Sequence, residues 1–164
     1  MLPEALVNFP PVAALDSWDN SAILDGKYDR NELTLIIEPG RIVDVCRFLK
    51  ETRQFIRLSA VTAVDWWPAE PRFEVVYLLH ALASNERLRL KCRLRGDDAA
   101  IESVCGVWQA ANWYEREVFD LFGIRFLNHP ELTRIMLPDG WEGHPLRKDY
   151  PKAGRYGYQG EALS

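Results

Sequence analysis

The strongest constraint on the fold is a stretch of strict alternation between apolar and basic side chains near the middle of the chain. Between Arg87 and Arg95, five basic residues alternate with four apolar ones, Leu88, Leu90, Cys92 and Leu94. Because successive side chains of a β-strand point to opposite faces, this stretch predicts a strand with one apolar and one basic face. The apolar face must be covered by other elements. The basic face is either solvated or a docking surface for an acidic partner.

More strands are predicted on both sides of this one. Apolar and β-branched residues, in part alternating, predict strands at 33–38, 55–67 and 73–79. Short turns join the last two strands to each other and to 87–95, so these three form an antiparallel run. The helical period of Ile42, Val43, Cys46 and Leu49 predicts an amphipathic helix between the first two strands. That strand–helix–strand unit adds a parallel crossover.

The remainder of the chain is predicted to hold further helices and an arm. A short helix begins at Pro10-Pro11, and turns follow at Asp25-Gly26 and at 29–31. The spacing of Ile101, Val104, Cys105 and Trp108 predicts a helix. A second one covers 112–122 and ends at Gly123, because glycine favours a left-handed cap. Beyond Gly123 the sequence has no period, although it is rich in aromatic residues, glycine and proline.

These elements predict an α+β two-layer sandwich, with a mixed, mostly antiparallel four-stranded sheet and helices on one face. We expect three parts. Residues 1–32 form an N-terminal segment with a short helix, 33–123 form the α+β core domain, and 124–164 form an extended C-terminal arm that binds a partner. Long aperiodic stretches are uncommon in compact domains, which is why we interpret the last part as an arm ordered by something it lies on.

Composition excludes several classes of function. The chain has 164 residues, a net charge of −4 and a pI near 5.4, which argues against a general nucleic-acid binder. Its apolar runs are too short for a transmembrane helix, and the N-terminus lacks the features of a secretory signal. We therefore expect a cytosolic location. The cysteines, Cys46, Cys92 and Cys105, are far apart in apolar surroundings and predict buried thiols, not a cluster with four thiolate ligands.

Three groups of residues in the segment 113–151 could suggest catalysis. Glu115 and Glu117 lie about 200° apart around a helix, so they do not converge on one point. Arg116 and Glu117 lie four and three residues before Asp120, a spacing that predicts surface neighbours. His129-Pro130 and His144-Pro145 lack the companions of a zinc motif, and we expect their imidazoles to bond the backbone. The glycines after 150 fit no dinucleotide fingerprint, and no phosphate-binding loop is present.

The same segment resembles a known signature. Stretches 113–124, 129–135 and 143–151 are similar to the signature of the 30-kDa subunit family, whose members form the C subunit of the respiratory NADH:quinone oxidoreductase, complex I. The order of upstream strands and helices is also similar. The resemblance carries over to a set of structural and partner-docking residues: Glu115, Arg116, Glu117, Asp120, Gly123, His129, Pro130, Arg134, Gly143, His144, Pro145, Arg147, Lys148, Asp149 and Tyr150.

The resemblance implies a non-redox structural subunit with no catalytic, cofactor or metal site in this chain. The whole complex transfers electrons from NADH through FMN and iron–sulfur clusters in other subunits to quinone, and pumps protons. The implied partners are peripheral-arm subunits, chiefly D (the 49-kDa subunit) and B. The implied location is peripheral, on the cytoplasmic side of the cell membrane.

Two other interpretations stay open. The chain could be the equivalent scaffold subunit of a related membrane-bound hydrogenase or ferredoxin-dependent dehydrogenase complex. It could instead be a free-standing metal hydrolase that uses Glu115, Glu117, His129 and His144.

Overall fold

A computed structural model describes residues 4–151 of the chain. It contains three α-helices in that range, α1 (Pro10–Trp18), α2 (Ile42–Arg53) and α3 (Ala111–Phe122). Short 3-10 turns occupy Glu4–Leu6 and Pro39–Arg41. The strands are β1 (Ile23–Asp29), β2 (Glu32–Ile37), β3 (Arg57–Asp65), β4 (Phe73–Ala81), β5 (Glu86–Leu94), β6 (Ala100–Glu102) and β7 (Arg125–Leu127). The predicted α+β class is confirmed.

The main sheet has five strands in the order β1-β2-β5-β4-β3. Strands β3, β4 and β5 pair antiparallel, as the sequence predicts, and β2 pairs parallel with β5. Strand β2 is thus parallel to β3, but β5 and β4 lie between them. The crossover through α2 therefore spans the sheet and does not join neighbouring strands.

The predicted count of four strands is wrong because β1 is a fifth. It forms an antiparallel hairpin with β2 and contains Asp25-Gly26, where the sequence predicts a turn. Only Ile23 of this edge strand is buried, so its sequence shows no alternation of apolar and polar residues. The hairpin turn lies at Arg30-Asn31, where both residues have positive φ.

The predicted helix around 101–108 is also wrong. Residues 100–102 form β6. This strand pairs parallel with β7, which follows α3 in the chain. Ile101, Val104 and Trp108 are all buried. Their spacing resembles that of a helix because each contacts the core, although they do not lie in one helix. The unit β6–α3–β7 is a small strand–helix–strand crossover. It places α3 beside β3, the edge strand of the main sheet.

One hydrophobic core joins the helices to one face of the main sheet. It includes Val12 and Leu15 of α1, Leu49 of α2, and Tyr77 and Leu90 of the sheet. Ile124 and Phe126, which follow α3, are buried in the same core. Cys46 and Cys92 are buried and Cys105 is half-buried. Within 4–151, no helix is long and apolar enough to cross a membrane.

Candidate docking site

Helix α3 divides the acidic residues of the signature between its buried and its exposed side. Glu115 and Asp120 are both fully buried, whereas Glu117 is exposed. The prediction that Glu115 and Glu117 diverge is confirmed. Trp113 precedes Glu117 by one helical turn and is 60% exposed. The helix therefore presents Trp113 and Glu117 outward while its buried carboxylates bind other parts of the same chain.

Asp120 binds the chain that follows the helix. Its Oδ2 atom accepts three backbone N–H bonds, from Ile135 at 3.0 Å, Met136 at 2.8 Å and Leu137 at 2.9 Å. Its Oδ1 atom accepts a 2.6 Å bond from Nη1 of Arg134. Burial alone would raise the pKa of Asp120, but these donors outweigh burial and hold the pKa below its usual range. We call residues 128–151, which this carboxylate holds against α3, the clasp.

The expected surface neighbours of Asp120 on its own helix are not its partners. Arg116 donates instead to backbone carbonyls of the clasp, from Nε to Thr133 at 3.1 Å and from Nη2 to Arg134 at 3.2 Å. Its guanidinium also lies 5.2 Å from the ring of Trp113. The spacing rule fails because the clasp covers the side of α3 on which Asp120 lies, and provides donors of its own.

The end of α3 is held by a glycine and two basic side chains of the clasp. Gly123 ends the helix with a φ of 73°, as its sequence position predicts. A Cβ atom at Gly123 would lie 2.5 Å from Cδ2 of His144 and 2.6 Å from Nη2 of Arg147. His144 Nδ1 lies 2.9 Å from the carbonyl oxygen of Asp120, and Arg147 Nε donates to that of Phe122 at 2.6 Å. Only glycine allows this close approach.

The far end of the clasp is bound to the turn between β3 and β4 by an arginine. Arg72 donates to both carboxylate oxygens of Asp65, each at 2.9 Å, and to both of Asp149, at 3.1 and 2.6 Å. Oδ2 of Asp65 also accepts the backbone N–H of Lys148 at 2.8 Å. Burial opposes ionisation of Asp65, yet these donors lower its pKa to about 2. From the ordinary value of 3.8, that shift corresponds to about 2 kcal/mol of stability at neutral pH.

A second buried cluster lies around Glu115. Its Oε1 atom accepts the N–H of Val104 at 2.8 Å, and Oε2 accepts from Oγ of Ser103 at 2.6 Å and Sγ of Cys105 at 3.3 Å. Burial raises the pKa of Glu115, and these bonds offset the effect only in part. Glu115 therefore fixes the loop after β6, the region in which the sequence predicts a helix.

Cys105, Glu115 and His129 have ligand atoms within 4.8 Å of one another, which raises the question of a metal ion. The hydrogen bonds do not fit one. His129 Nδ1 accepts the backbone N–H of Glu131 at 3.0 Å, so Nε2 carries the proton and faces the carbonyl of Asn112 at 3.2 Å. Sγ of Cys105 donates a hydrogen bond to Oε2 of Glu115 at 3.3 Å, and burial raises the pKa of this thiol to about 11. The geometry gives no support to the metal-hydrolase interpretation.

The structure brings most of the signature residues together as internal contacts. His129 and His144 bond the backbone, as expected, and Arg134 and Arg147 bond α3. Arg134 Nη2 also donates to the carbonyl of Gly143 at 3.1 Å. The Tyr150 ring packs near Gly143, and its hydroxyl lies 3.5 Å from the carbonyl of Glu142. Pro130 is exposed and Pro145 is half-buried.

Three side chains that matter for this arrangement are missing from the residues singled out in the sequence. Arg72 lies directly after Pro71, in the turn between two strands. Asp65 and Ser103 are short-range turn residues whose long-range partners are set by the fold. An arginine that follows a proline turn, together with an aspartate before that turn, is the signal that could have indicated Arg72 and Asp65.

The exposed side of α3 and the clasp combines large apolar side chains with charged ones. Met136 is 61% exposed and Leu146 is 51% exposed. Lys148 is exposed, with Nζ 5.9 Å from the ring of Trp66. The side chain of Glu117 forms neither an ion pair nor a hydrogen bond with any residue in 4–151. Exposed large apolar side chains with polar or charged groups around them are a feature of protein interfaces. We call the surface of Trp113, Glu117, Met136, Leu146 and Lys148 the docking surface.

Comparison with known proteins gives the same family along most of the chain. Residues 35–156 match the sequence model of a family described as the respiratory-chain NADH dehydrogenase, 30 Kd subunit. A protein of Geotalea uraniireducens, the C subunit of its NADH-quinone oxidoreductase, is 50% identical over 134 residues, 82% of either chain. The corresponding C subunit of Geobacter sulfurreducens is 50% identical over 135 residues, 82% of this chain and 83% of the relative.

Solved structures show the same fold. A trypsin-resistant fragment of Nqo5 covers 65% of this chain and 88% of its own, with 28% identity and a TM-score of 0.61. A chain of the membrane-bound sulfane sulfur reductase, an archaeal respiratory membrane complex, covers 93% of this chain and 96% of its own. It has 27% identity and a TM-score of 0.75.

Proposed function

The chain belongs to the 30-kDa subunit family of the respiratory-chain NADH dehydrogenase, and from that premise we propose that it is a non-redox structural subunit of the peripheral arm of a proton-pumping NADH:quinone oxidoreductase. The whole complex passes electrons from NADH through FMN and iron–sulfur clusters to quinone. In this proposal the chain contributes no redox centre. It holds the neighbouring subunits in register, and electron transfer depends on that register.

The observation that carries the proposal is the docking surface. Asp120 binds Arg134 and backbone N–H groups of the clasp, and Arg147 binds the end of the helix, so the clasp is fixed on α3 before any partner arrives. A preformed surface loses little conformational entropy on association, which favours stable assembly. Exposed Trp113 and Met136 are suitable interface anchors, because large apolar side chains contribute most where water is excluded. We assign the D (49-kDa) and B subunits as the partners, on the cytoplasmic side of the membrane.

The thiols of the chain support a non-redox role. Burial raises the pKa of Cys46 well above its ordinary value, and raises that of Cys92 and Cys105 as well. An iron–sulfur cluster is normally held by four thiolates, and the chain has three cysteines.

A second candidate has its own support. The likeness to a chain of the sulfane sulfur reductase extends over 93% of this chain, so the same fold is used in a different respiratory membrane complex. The chain could therefore be the scaffold of a related hydrogenase or ferredoxin-dependent complex. The identity of about one half to NADH-quinone oxidoreductase subunits, against 27% to that structure, favours the first proposal.

Point substitutions on the docking surface test the proposal. Ile124 and Phe126 belong to the core, so truncating the chain after α3 would confound folding with docking. Met136→Glu puts a charge at a 61% exposed position while leaving its backbone bond to Asp120 in place. We expect at least a tenfold loss of the D subunit co-purified with the tagged chain.

Leu24→Glu is the matched control, because Leu24 is 46% exposed on β1, at the opposite edge of the sheet from α3. It should leave co-purification unchanged. Equal recovery of the D subunit by both variants would refute the assigned docking surface. Flavin or iron bound at one per isolated chain would refute the non-redox role.

A further inference from the structure

The open face of the main sheet carries a basic groove that the docking surface does not include. The groove has a volume of about 350 Å³. Its lining includes Ser59, Leu78 and Glu32, with Arg57, His80 and Arg87 across its width. It lies on the face opposite the core, where the alternating basic residues of β5 point. The sequence left two roles for this face, a solvated surface or a docking surface for an acidic partner.

Ion pairs within the chain neutralise most of the basic side chains on this face. Lys91 Nζ lies 2.7 Å from Oε1 of Glu74, and Arg93 lies 3.6 Å from Oε2 of the same carboxylate. Arg89 pairs with Glu32. In contrast, the side chains of Arg57 and Arg87 form neither an ion pair nor a hydrogen bond with any residue between 4 and 151. Positive charge without a partner is therefore concentrated at the groove.

The register places these two arginines in one row across three strands. Arg57 of β3 is opposite His80 of β4, and His80 is opposite Arg87 of β5. Directly opposite residues lie on the same face, and neighbouring strands are about 4.8 Å apart. The backbones of Arg57 and Arg87 are thus roughly 10 Å apart, with His80 between them. Two like charges at this distance repel each other unless an anion lies between them.

We propose that this groove binds an acidic segment of a neighbouring subunit, with two carboxylates bound by Arg57 and Arg87. In an extended peptide, side chains two or three residues apart are roughly 7–10 Å apart, which matches the spacing of the arginines. Arginine suits this role because its planar guanidinium binds a carboxylate through two parallel hydrogen bonds. Leu78 and Ser59, both half-buried, line the groove beside this row.

A peptide fits this groove better than other anionic partners do. A bilayer presents its headgroups on a flat surface and does not enter a concave site only a few strands wide. The net charge of −4 disfavours a general nucleic-acid footprint. The proposal goes beyond the docking surface on α3 and the clasp, since it uses the face on the other side of the sheet from the core.

Titration of the full-length chain with a fluorescein-labelled hexaglutamate peptide tests the proposal at low ionic strength. We expect binding that weakens as salt is added, and at least tenfold weaker binding by the R57Q/R87Q variant. The R47Q/R95Q variant is the matched control. It makes the same change in net charge at exposed sites outside the groove and should bind within twofold of the wild type. Hexaglutamine should not bind measurably.

Two further measurements keep the test decisive. The variant R57Q/R87Q loses no ion pair, so its melting temperature should not fall below that of the wild type. Amide resonances of residues 57, 80 and 87 should shift in the wild-type NMR spectrum as the peptide is added. Absence of peptide binding, or equal weakening by both double variants, overturns the proposal. Binding to phosphatidylglycerol vesicles in place of the peptide, lost in R57Q/R87Q, also overturns it.

Discussion

Helix α3 buries two carboxylates to the same extent, and they behave in opposite ways. Glu115 and Asp120 both have fully buried side chains. The pKa of Glu115 is raised, mainly by burial, whereas the donors around Asp120 outweigh burial and lower its pKa. Asp120 receives three backbone N–H groups and a guanidinium, but Glu115 receives one N–H, one hydroxyl and one thiol. Burial by itself therefore does not determine the charge state of an acid. The number and charge of its donors do.

The largest effect expected from this comparison is that of Asp120→Asn. The amide nitrogen is a donor and cannot accept a hydrogen bond. In either orientation of the amide it faces another donor, which is Arg134 or the N–H groups of the clasp. We expect a loss of about 3 kcal/mol in the free energy of unfolding, as for other broken buried charge pairs. Urea unfolding measures this loss. Asp44→Asn is the control, since Asp44 forms only exposed pairs with Arg41 and Arg47. A loss as small as that of the control would contradict the role given to Asp120.

Gly123→Ala should have the next largest effect, roughly 2 kcal/mol. Alanine at φ 73° costs about 1 kcal/mol, and its Cβ also collides with His144 and Arg147. Gly140→Ala separates the two contributions, because Gly140 has a φ of 83° and no heavy atom within 4 Å of an added Cβ. Thermal unfolding of both variants measures the difference. If Gly140→Ala is as destabilising as Gly123→Ala, the close approach of the clasp to Gly123 does not contribute to the loss of stability.

Glu115→Gln should cost about 1 kcal/mol or less at neutral pH. The amide keeps one acceptor oxygen for Val104, and the hydroxyl of Ser103 can rotate to accept from the amide nitrogen. The substitution also removes the need to bury a negative charge. Urea unfolding measures the loss of stability in this variant and in Asp120→Asn. Equal losses would contradict the difference between the two buried carboxylates.

The smallest effect is a difference in titration. The folded pKa of Asp120 is lowered, so its contribution to stability is present above the ordinary value of 3.8 and is lost as pH falls through the lowered one. The folded pKa of Glu115 is raised. Its contribution to stability is therefore present below the ordinary pKa of 4.5 and is lost as pH rises through the raised pKa. Carboxyl carbon NMR should give midpoints on opposite sides of these values. Two midpoints on the same side would break the comparison.

The sequence predicts elements well where burial has a regular period along one element. Strand β5 alternates over its whole length because one of its faces is core and the other is open. Helix α2 buries Ile42, Val45, Cys46 and Leu49 at helical spacing, which is why its sequence predicts it. Strand β6 contains the buried Ile101 and is followed by a loop that Glu115 binds. The apparent helical spacing in this region results from these long-range contacts, which the local sequence does not show.

In the candidate site, too, the sequence predicts features that depend on local chemistry and misses those that depend on long-range contacts. The end of α3 at Gly123 and the backbone bonding of both histidines could be predicted, because a left-handed cap and loop imidazoles follow from local chemistry. The partners of Asp120 could not, since Arg134 and the N–H groups of 135–137 reach it only after the chain has folded back. Partner docking by the segment 124–164 and the boundaries at 32 and 123 stay predictions. Of that segment, residues 152–164 lie outside the described part.

The bond between Asp120 and Leu137 also has a consequence for the timing of synthesis. The two residues are 17 positions apart, so at about 5–20 residues per second the ribosome adds the last donor roughly 1–3 s after the acceptor. Until residue 137 has been added, the carboxylate of Asp120 lacks its full set of backbone donors. A nascent chain interrupted before residue 137 therefore presents no finished surface to a partner. Under the proposed function, only chains translated through the clasp therefore offer the docking surface for assembly.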